Sequence, residues 1–219
     1  MLFRSLGTQE FCGLEFAVSP DVLIPRPETE VLLRHAVAYA QALSEATIVD
    51  VGTGSGCVAI TLATSLKGRR IIAVDRSPEA LAVAQRNARR HGVSDRIEWL
   101  EGDLLAPLSE RMAARSVNVI VSNPPYISEA DWAGLEPEVR VFEPRMALIG
   151  GKQGTEFHER LLRESLALLV PGGLLAMEIG AGQAAAVRRL AEQIGGYTAL
   201  EIIEDAAGIE RVVMARRLK

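Results

Sequence analysis

The chain has 219 residues, 48% of them hydrophobic and 24% charged, a balance typical of one globular domain with a full core. It contains neither an apolar run of about 18 residues, which a membrane span needs, nor the apolar core of a signal peptide, so we predict a cytoplasmic protein without membrane contacts. The formal net charge of −4 argues against a nucleic-acid partner, because domains that grip a nucleic-acid backbone are usually basic.

The cysteines and histidines give no sign of a metal site. Cys12 and Cys57 are too few for a disulfide framework, and His35, His91 and His158 are scattered along the chain. Zinc ligands recur at short, fixed spacings, and no such spacing occurs here. We therefore expect neither a bound metal nor a cysteine–histidine nucleophile pair.

The first 46 residues form a segment that differs from the rest of the chain. Residues 1–25 contain apolar runs without a helical period. A helix is predicted from Pro27 onward, because proline suits the first turn and the acids Glu28 and Glu30 favour its positive end. We expect this helix to lead into the main domain at 47–219 and to lie against the sheet edge or over the site.

Strands and helices alternate from Thr47 onward. Apolar runs predict strands at 47–51, 70–75, 96–100, 117–121 and 174–179, and amphipathic stretches predict helices at 57–66, 78–91, 157–170 and 184–194. Two last strands, within 197–205 and 210–217, are joined by a short turn and should pair antiparallel. This order predicts a doubly wound, Rossmann-like α/β fold with a mostly parallel sheet and an antiparallel C-terminal strand.

The stretch "DVGTGSG", from Asp50 to Gly56, joins the first of these strands to the following helix. Glycines allow the backbone to approach a ligand, and ligands of such folds bind outside the carboxyl ends of the strands. The spacing is G-x-G-x-G, whereas the dinucleotide fingerprint would need a glycine at Cys57. Asp75 ends the second strand, where a carboxylate can bind both ribose hydroxyls, and Asp103 follows the third, within reach of an adenine amino group. These features favour an adenosine-containing cofactor.

The fourth strand ends in "NPPY", Asn123 to Tyr126, beside the expected end of the first strand, so Asn123 should face the cofactor. Pro125 restricts Pro124 to an extended conformation, which holds the Pro124 carbonyl out of any helix. The oxygens of Asn123 and Pro124 then form two fixed acceptors that suit an NH₂ group, and Tyr126 can stack over the planar group carrying it. With a sulfonium methyl donor, this pattern predicts in-line methyl transfer to an amide or aromatic amine nitrogen, promoted mainly by positioning.

A G-x-G-x-G loop followed by NPPY resembles the S-adenosyl-L-methionine (AdoMet)-dependent methyltransferases that modify adenine N6 or glutamine side-chain amides. The stretch "SPDVLIPRPETEVLL" (19–33), with "IVSNPPYI", "FEPRMAL" and "GIERVV", is similar to the HemK/PrmC family, the peptide chain release factor glutamine methyltransferases. The resemblance covers nearly the whole chain. It implies a class I methyltransferase domain at 47–219 that methylates the glutamine of a Gly-Gly-Gln motif in a release factor and converts AdoMet to S-adenosyl-L-homocysteine.

The resemblance also implies roles for individual residues. Cofactor-binding positions so implied are Gly52, Thr53, Gly54, Ser55, Gly56, Asp75, Asp103, Leu104 and Asn123. Substrate-binding positions so implied are Arg26, Glu28, Asn123, Pro124, Pro125 and Tyr126, with Thr29 in the same upstream signature. Asn123, Pro124 and Tyr126 are the expected catalytic residues, and no metal is implied.

The chain departs from the family pattern in two respects. Family members usually carry a small helical N-terminal domain that helps to hold the release factor. This chain begins about where that domain would end, as expected of an isolated catalytic domain, a wrongly assigned start or a natural short form. Cys12 stands where an aromatic residue is common, which suggests a packing change, and Leu104 stands where an aromatic residue would flank the adenine, which would loosen the adenine contacts.

Three other functions fit parts of the pattern. An adenine-N6 nucleic-acid methyltransferase would use the same NPPY, but the acidic charge, the missing target-recognition insert and "IPRPETE" oppose it. An NAD-dependent oxidoreductase would need a glycine at Cys57 and a His or Lys at a hydride site. The third is a domain that binds AdoMet without activity, as would be expected if the family's substrate-gripping domain were absent.

Glu178 is an acid near the end of an otherwise apolar strand, in "LLAMEIG", next to the strand that ends in NPPY. A buried carboxylate is costly unless it is paired. We expect either a structural acid paired with a backbone group or an arginine, or an acid that orients Asn123 or receives substrate hydrogen bonds.

Overall fold

The computed structural model describes residues 7–219, and residues 1–6 of the predicted N-terminal segment lie outside that range. Its strands are β1 (Thr8–Phe11), β2 (Leu14–Ala17), β3 (Thr47–Val51), β4 (Arg70–Asp75), β5 (Ile97–Glu101), β6 (Val117–Ser122), β7 (Ile127–Ser128), β8 (Ile149–Gly151), β9 (Leu169–Glu178), β10 (Glu201–Glu204) and β11 (Glu210–Arg216). Its α-helices are α1 (Thr29–Gln41), α2 (Cys57–Ser65), α3 (Pro78–Arg90), α4 (Ala106–Arg111), α5 (Pro137–Phe142), α6 (Glu156–Leu168) and α7 (Ala184–Ile194).

Seven strands form the central sheet, in the order β10-β11-β9-β6-β3-β4-β5. Strand β3 pairs in parallel with β4 and β6, and parallel pairing continues to β5 on one side and to β9 on the other. Strand β11 runs antiparallel to both β9 and β10. The predicted doubly wound α/β fold, with a mostly parallel sheet and antiparallel C-terminal strands, is therefore confirmed.

Helices cover both faces of the sheet, which is why its strands are apolar along their whole length. In β4, Ile71 and Ala73 belong to one core, while Ile72 and Val74 belong to the other. The first core contains side chains of α1, α2 and α3, and the second contains side chains of α4, α6 and α7. The first core also takes in buried phenylalanines of β1 and β2, so the described part of the N-terminal segment packs into the main domain.

Helix α1 begins at Thr29, two residues after the predicted start, and packs against β6, β9 and β11. Its first residue lies at the carboxyl ends of β6 and β9, where the Thr29 hydroxyl contacts Asn123 and Glu178. The expectation that this helix lies over the site is therefore confirmed for its first turn.

The apolar runs before α1 form the β1–β2 hairpin. Asn87 on α3 ties this hairpin to the glycine loop, because its Nδ2 donates to the Ala17 carbonyl at 3.0 Å and to the Ser55 carbonyl at 2.9 Å. Its Oδ1 accepts from the Ala17 amide at 2.8 Å. The hairpin and the loop thus share one buried amide.

Strand β9 begins at Leu169, earlier than the predicted start at 174, because the residues Pro171, Gly172 and Gly173 lie within the strand. Gly172 has φ of 79°, and the register against β6 shifts nearby. The sequence also gave no signal for the short elements α4, α5, β7 and β8.

The packing of α2 on α3 is expected to require a glycine at position 56. Gly56 precedes α2 with φ of 83°, and a Cβ there would lie 3.0 Å from both Ala84 Cβ and Ile60 Cδ1. Gly56→Ala should therefore lower the free energy of unfolding by roughly 2–5 kcal/mol, the sum of left-handed strain and overpacking. Gly68→Ala is the matched control, because Gly68 has φ of 78° and open space around its Cα, and it should lose only about 1–2 kcal/mol. Equal losses in urea unfolding would contradict the packing argument.

Candidate active site

A cavity opens at the carboxyl ends of β3, β4, β5 and β6, where ligands of such sheets bind. The predicted site residues that line it are Arg26, Thr29, Gly52, Thr53, Gly54, Ser55, Asp75, Asp103, Leu104, Asn123 and Pro125. Gly56 and Glu28 are not among its lining residues: Gly56 faces Ala84, and Glu28 precedes α1. Most of the cofactor set therefore meets in one place, and Gly56 serves the packing of α2 on α3.

Hydrogen bonds to Asp50 anchor the glycine loop. The Asp50 Oδ2 accepts hydrogen bonds from the Thr53 hydroxyl at 2.6 Å and from the Ala59 amide at 3.1 Å. Asp50 is buried, and this burial raises the pKa of its carboxyl to about 7. The carboxylate thus joins the loop to the first turn of α2, a role that the sequence analysis did not assign to this acid.

Asp75 fixes the other side of the loop. Its Oδ2 accepts from the Gly54 amide at 2.9 Å, and its Oδ1 accepts from the Ser77 amide at 3.0 Å. Burial raises the pKa of the Asp75 carboxyl above its ordinary value, while these amide donors oppose the rise. Each carboxylate oxygen can accept more than one hydrogen bond, so acceptor capacity remains toward the cavity.

The stretch after β5 lines the cavity with Asp103 and Leu104. The Asp103 carboxylate forms an ion pair with Arg160 of α6 at 2.9 Å, and Arg160 also pairs with Glu164 at 2.9 Å. Leu104 adopts a left-handed backbone conformation, with φ of 49°. Such a conformation costs a non-glycine residue about 1–2 kcal/mol, so the surrounding contacts must hold it. Arg160 therefore anchors the segment that carries Leu104 into the cavity.

A second cavity adjoins the first, and the NPPY residues divide the two. Asn123 and Pro125 line the first cavity, whereas Asn123, Pro124 and Tyr126 line the second. The second cavity is otherwise mainly apolar, with walls from Leu23, Ile127, Leu135, Val139, Ala147 and Leu148. Asn123 and Arg26 line both cavities, so these side chains stand at the junction.

A chain of hydrogen bonds orients the polar groups at this junction. The Asn123 Nδ2 donates to the Thr29 hydroxyl at 3.0 Å, and that hydroxyl donates to Glu178 Oε2 at 2.6 Å. The Tyr126 hydroxyl donates to Glu178 Oε1 at 3.2 Å. Burial raises the pKa of the Glu178 carboxyl to about 7. Burial and the neighbouring Glu178 carboxylate also raise the pKa of Tyr126, so its hydroxyl keeps its proton.

The backbone of NPPY is backed closely by two glycines. A Cβ on Gly150 would lie 2.5 Å from the Pro125 carbonyl oxygen, and one on Gly154 would lie 2.3 Å from the Tyr126 carbonyl oxygen. Gln183 donates through Nε2 to the Tyr126 carbonyl at 2.8 Å. These contacts leave the tetrad little room to shift.

Arg26 joins the segment before α1 to the segment after α5. Its guanidinium lies 2.6 Å from a carboxylate oxygen of Glu143, whose side chain is fully buried, whereas the Arg26 side chain is one-third exposed. Arg26 lines both cavities, so this ion pair holds a side chain that the two cavities share. Glu143 belongs to the stretch "FEPRMAL", in which no local pattern predicts a partner for this acid.

Two expected absences can be compared with the described part of the chain. In residues 7–219, no three His, Cys, Asp or Glu side chains come together in a way that could hold a metal ion. No helix within the same range is both long and apolar enough to cross a membrane. The cytoplasmic location stays a prediction.

Comparison with known protein families identifies the chain's relatives. The Methyltransferase small domain family matches residues 27–134. The release factor glutamine methyltransferase of Geobacter sulfurreducens is 45% identical over 96% of this chain and 71% of its own length. The release factor glutamine methyltransferase of Nitratidesulfovibrio vulgaris is 43% identical over 97% of this chain and 71% of its own.

Solved structures share the fold at much lower identity. A methyltransferase from Pyrococcus furiosus superposes with a TM-score of 0.68 at 17% identity, covering 99% of this chain and 95% of that one. The hMettl16 catalytic domain, solved in complex with MAT2A 3'UTR hairpin 6, superposes with a TM-score of 0.72 at 17% identity, covering 93% and 75% of the two chains. These likenesses concern the fold alone.

The Arg26–Glu143 ion pair should stabilise the segment after α5. Arg26→Met keeps the apolar stem but leaves the buried Glu143 carboxylate without this cation, which is strongly unfavourable. The Glu143 amide, which donates to the Val139 carbonyl, should exchange its hydrogen at least roughly tenfold faster. Arg70→Met is the control, because the Arg70–Glu98 pair is exposed on both sides, and unchanged exchange in Arg26→Met would contradict the role given to the pair.

Proposed function

Because the chain belongs to the release factor glutamine methyltransferase family, we propose that it methylates the side-chain amide nitrogen of the glutamine in a Gly-Gly-Gln motif of a peptide chain release factor, with AdoMet as donor. Family membership sets aside the NAD-dependent oxidoreductase. The chain spans about 71% of the length of the relatives named above, and it contains the whole of the two-cavity site.

The observation that carries the proposal is the orientation of Asn123 between the cavities. One hydrogen of its Nδ2 is bonded to Thr29. No hydrogen bond from another described residue reaches its Oδ1, so this oxygen is a free hydrogen-bond acceptor for a ligand. A methyl-accepting group bound to this oxygen would lie between the proposed cofactor cavity and the apolar cavity.

The residues of the first cavity fit AdoMet. Asp75 presents a carboxylate with spare acceptor capacity at the end of β4, where such folds bind a ribose. Gly52 and Gly54 have positive φ, and nothing lies closer than 4.0 Å to a Cβ built on either, so a ligand can approach the loop backbone. When bound, AdoMet supplies an electrophilic methyl group on a positively charged sulfur.

The residues of the second cavity fit a primary amide on a short apolar stem. The oxygens of Asn123 and Pro124 are two acceptors for the two hydrogens of an NH₂ group, and the Tyr126 ring offers a face for the planar amide. The walls contributed by Leu135 and Val139 suit the methylene groups of a glutamine side chain. The mainly apolar lining of this cavity offers few partners for the ring nitrogens of a purine, which favours glutamine as the methyl acceptor.

Methyl transfer to an amide depends more on the orientation of the nitrogen than on acid–base catalysis. A nitrogen–carbon bond forms as the carbon–sulfur bond breaks, and the proton on nitrogen leaves to water afterward. The amide nitrogen is a poor nucleophile because its lone pair is delocalised over the carbonyl group. The two hydrogen bonds that the NH₂ group donates to the Asn123 and Pro124 oxygens return electron density to the nitrogen and hold it in line, so positioning supplies much of the rate.

Mass spectrometry of purified release factor incubated with this protein and AdoMet tests the proposal directly. The expected result is the mass of one methyl group on the glutamine of the Gly-Gly-Gln peptide. Duplex DNA and RNA are incubated in parallel with labelled AdoMet. Label on adenine, with none on the release factor, would replace this function by the nucleic-acid alternative.

Loss of the Asp75 carboxylate should weaken cofactor binding. Asp75→Ala removes charge-assisted hydrogen bonds worth roughly 1.5–3 kcal/mol each, so AdoMet affinity should fall at least about tenfold. Glu101→Ala is the control, because Glu101 is the register partner of Asp75 on β5 but does not line the cavity. Titration calorimetry measures both variants, and full affinity in Asp75→Ala would overturn the ribose assignment.

Loss of the Asn123 amide should affect turnover far more than cofactor binding. Asn123→Ala deletes one of two acceptors, a change that typically costs about 10²–10³ in rate. Single-turnover methylation of release factor and AdoMet calorimetry are measured on the same preparation. Asn123→Asp keeps the acceptor geometry and should show intermediate activity. A rate close to wild type in Asn123→Ala, or an equal loss of AdoMet affinity, would remove Asn123 from its aiming role.

A further inference from the structure

Glu178 occupies a position where an acid is unfavourable unless it has a function or strong partners. It is 1% exposed and lies at the carboxyl end of β9, beside β6. Its two carboxylate oxygens accept from two different parts of the site, Oε2 from the Thr29 hydroxyl and Oε1 from the Tyr126 hydroxyl. Burying an ion pair or a lone carboxylate seldom adds stability over an apolar side chain of similar size. The contacts therefore point to a role in the site.

The direction of the hydrogen bonds determines how the Asn123 amide is oriented. A hydroxyl carries one hydrogen, and Thr29 donates that hydrogen to Glu178 at 2.6 Å. Toward Asn123, the Thr29 oxygen can then only accept. Asn123 must therefore turn its NH₂ group toward Thr29, at 3.0 Å, and its Oδ1 away from Thr29.

We propose that Glu178 is a positioning residue that selects, through Thr29, which end of the Asn123 amide meets the methyl acceptor, and that it fixes Tyr126 through the phenolic hydroxyl. This inference rests on the proposed function, because it concerns the aim of the same acceptor site. Glu178 itself touches neither the acceptor nor the donor. It acts because a carboxylate can accept from Thr29 but cannot donate to it.

Because of its surroundings, Glu178 is expected to change its protonation state near neutral pH. Its pKa is raised to about 7, mainly by burial and also by Glu28 ahead of α1, while the hydrogen bonds from Thr29 and Tyr126 and the charge of Arg211 on β11 oppose the rise. The ring of His158 on α6 contacts the Glu178 backbone oxygen at 2.8 Å. Protonated Glu178 can donate to Thr29, and Thr29 can then donate to Asn123 Oδ1, which turns the amide. The orienting state is therefore present above a pH of about 7 and is lost as the pH falls through the pKa of Glu178.

Glu178→Gln separates positioning from mere packing. A glutamine fills the same space but can donate its own NH₂ to Thr29, so the hydrogen-bond chain can reverse and withdraw Asn123 Oδ1 from the acceptor. The single-turnover rate at saturating AdoMet should fall at least about tenfold, while AdoMet affinity should change less than about twofold. Thr29→Val should lose a similar factor, the double variant should lose little more, and Thr29→Ser should lose far less than Thr29→Val.

Tyr197→Phe is the matched control for the loss of a buried hydrogen bond. The Tyr197 hydroxyl donates to the Leu162 carbonyl at 2.6 Å, far from the NPPY residues along the chain and in the core that faces α6. This variant should lose stability in urea unfolding but keep the single-turnover rate. Equal loss of rate in Tyr197→Phe and Glu178→Gln would reduce Glu178 to a structural acid.

The dependence of the single-turnover rate on pH distinguishes a positioning role of Glu178 from a purely structural role. At saturating AdoMet, the wild-type single-turnover rate should rise through about pH 7, and Glu178→Gln should lack this rise. Asp50 also titrates at about 7, but it supports the glycine loop, so its titration should act on AdoMet affinity. A rise that persists in Glu178→Gln would overturn the proposal.

The side-chain amide resonances of Asn123, identified by their loss in Asn123→Asp, test the network without any acceptor. In wild type at pH 8, hydrogen exchange at Nδ2 should be slow, because one hydrogen is bonded to Thr29, and Glu178→Gln should speed it. This result, together with a wild type that leaves release factor unmethylated, would sink the proposed function and keep the positioning network. Unchanged Nδ2 exchange in Glu178→Gln would sink the network, whatever the methylated acceptor.

Discussion

A carboxylate that is taken out of water needs hydrogen-bond donors to offset its lost hydration. Three carboxylates at the carboxyl edge of this sheet obtain those donors from the parts that form the site. Asp50 takes them from Thr53 and from α2, Asp75 takes them from Gly54 and Ser77, and Glu178 takes them from Thr29 and Tyr126. The requirement that each acid be satisfied therefore fixes the glycine loop and the NPPY tetrad relative to the strands.

The parallel sheet explains why these acids come together. Its core strands are covered on both faces, so polar groups are excluded from the strand interiors and collect at the strand ends. Strands β3, β6 and β9 are neighbours although long helices separate them along the chain. The adjacent strand ends hold the two cavities side by side, with the Asn123 amide between them. Small shifts of one strand end would change the distance between groups held in the two cavities.

Much of this arrangement follows from local sequence. The strand pattern predicted the fold, and the positions of Asp75 and Asn123 in their motifs predicted that both would line the cavity at the end of the sheet. What local sequence does not carry is pairing across long separations. Thr29 and Glu178 are 149 residues apart, and Arg26 and Glu143 are 117 residues apart. Such pairs depend on how α1 is laid across the sheet, which no periodicity encodes. The motif of Gly56 likewise does not reveal that Ala84 of α3 packs against this glycine.

The buried amide of Asn87 joins the β1–β2 hairpin to the carbonyl of Ser55 in the glycine loop. Any ligand that narrows the fluctuations of the loop must therefore also narrow those of the hairpin, because the two share one rigid bridge. By thermodynamic linkage the effect runs both ways, so an ordered hairpin raises the affinity of the loop for its ligand. The hairpin would in this sense take part in the binding equilibrium of any ligand of the loop, although it lies outside the cavity.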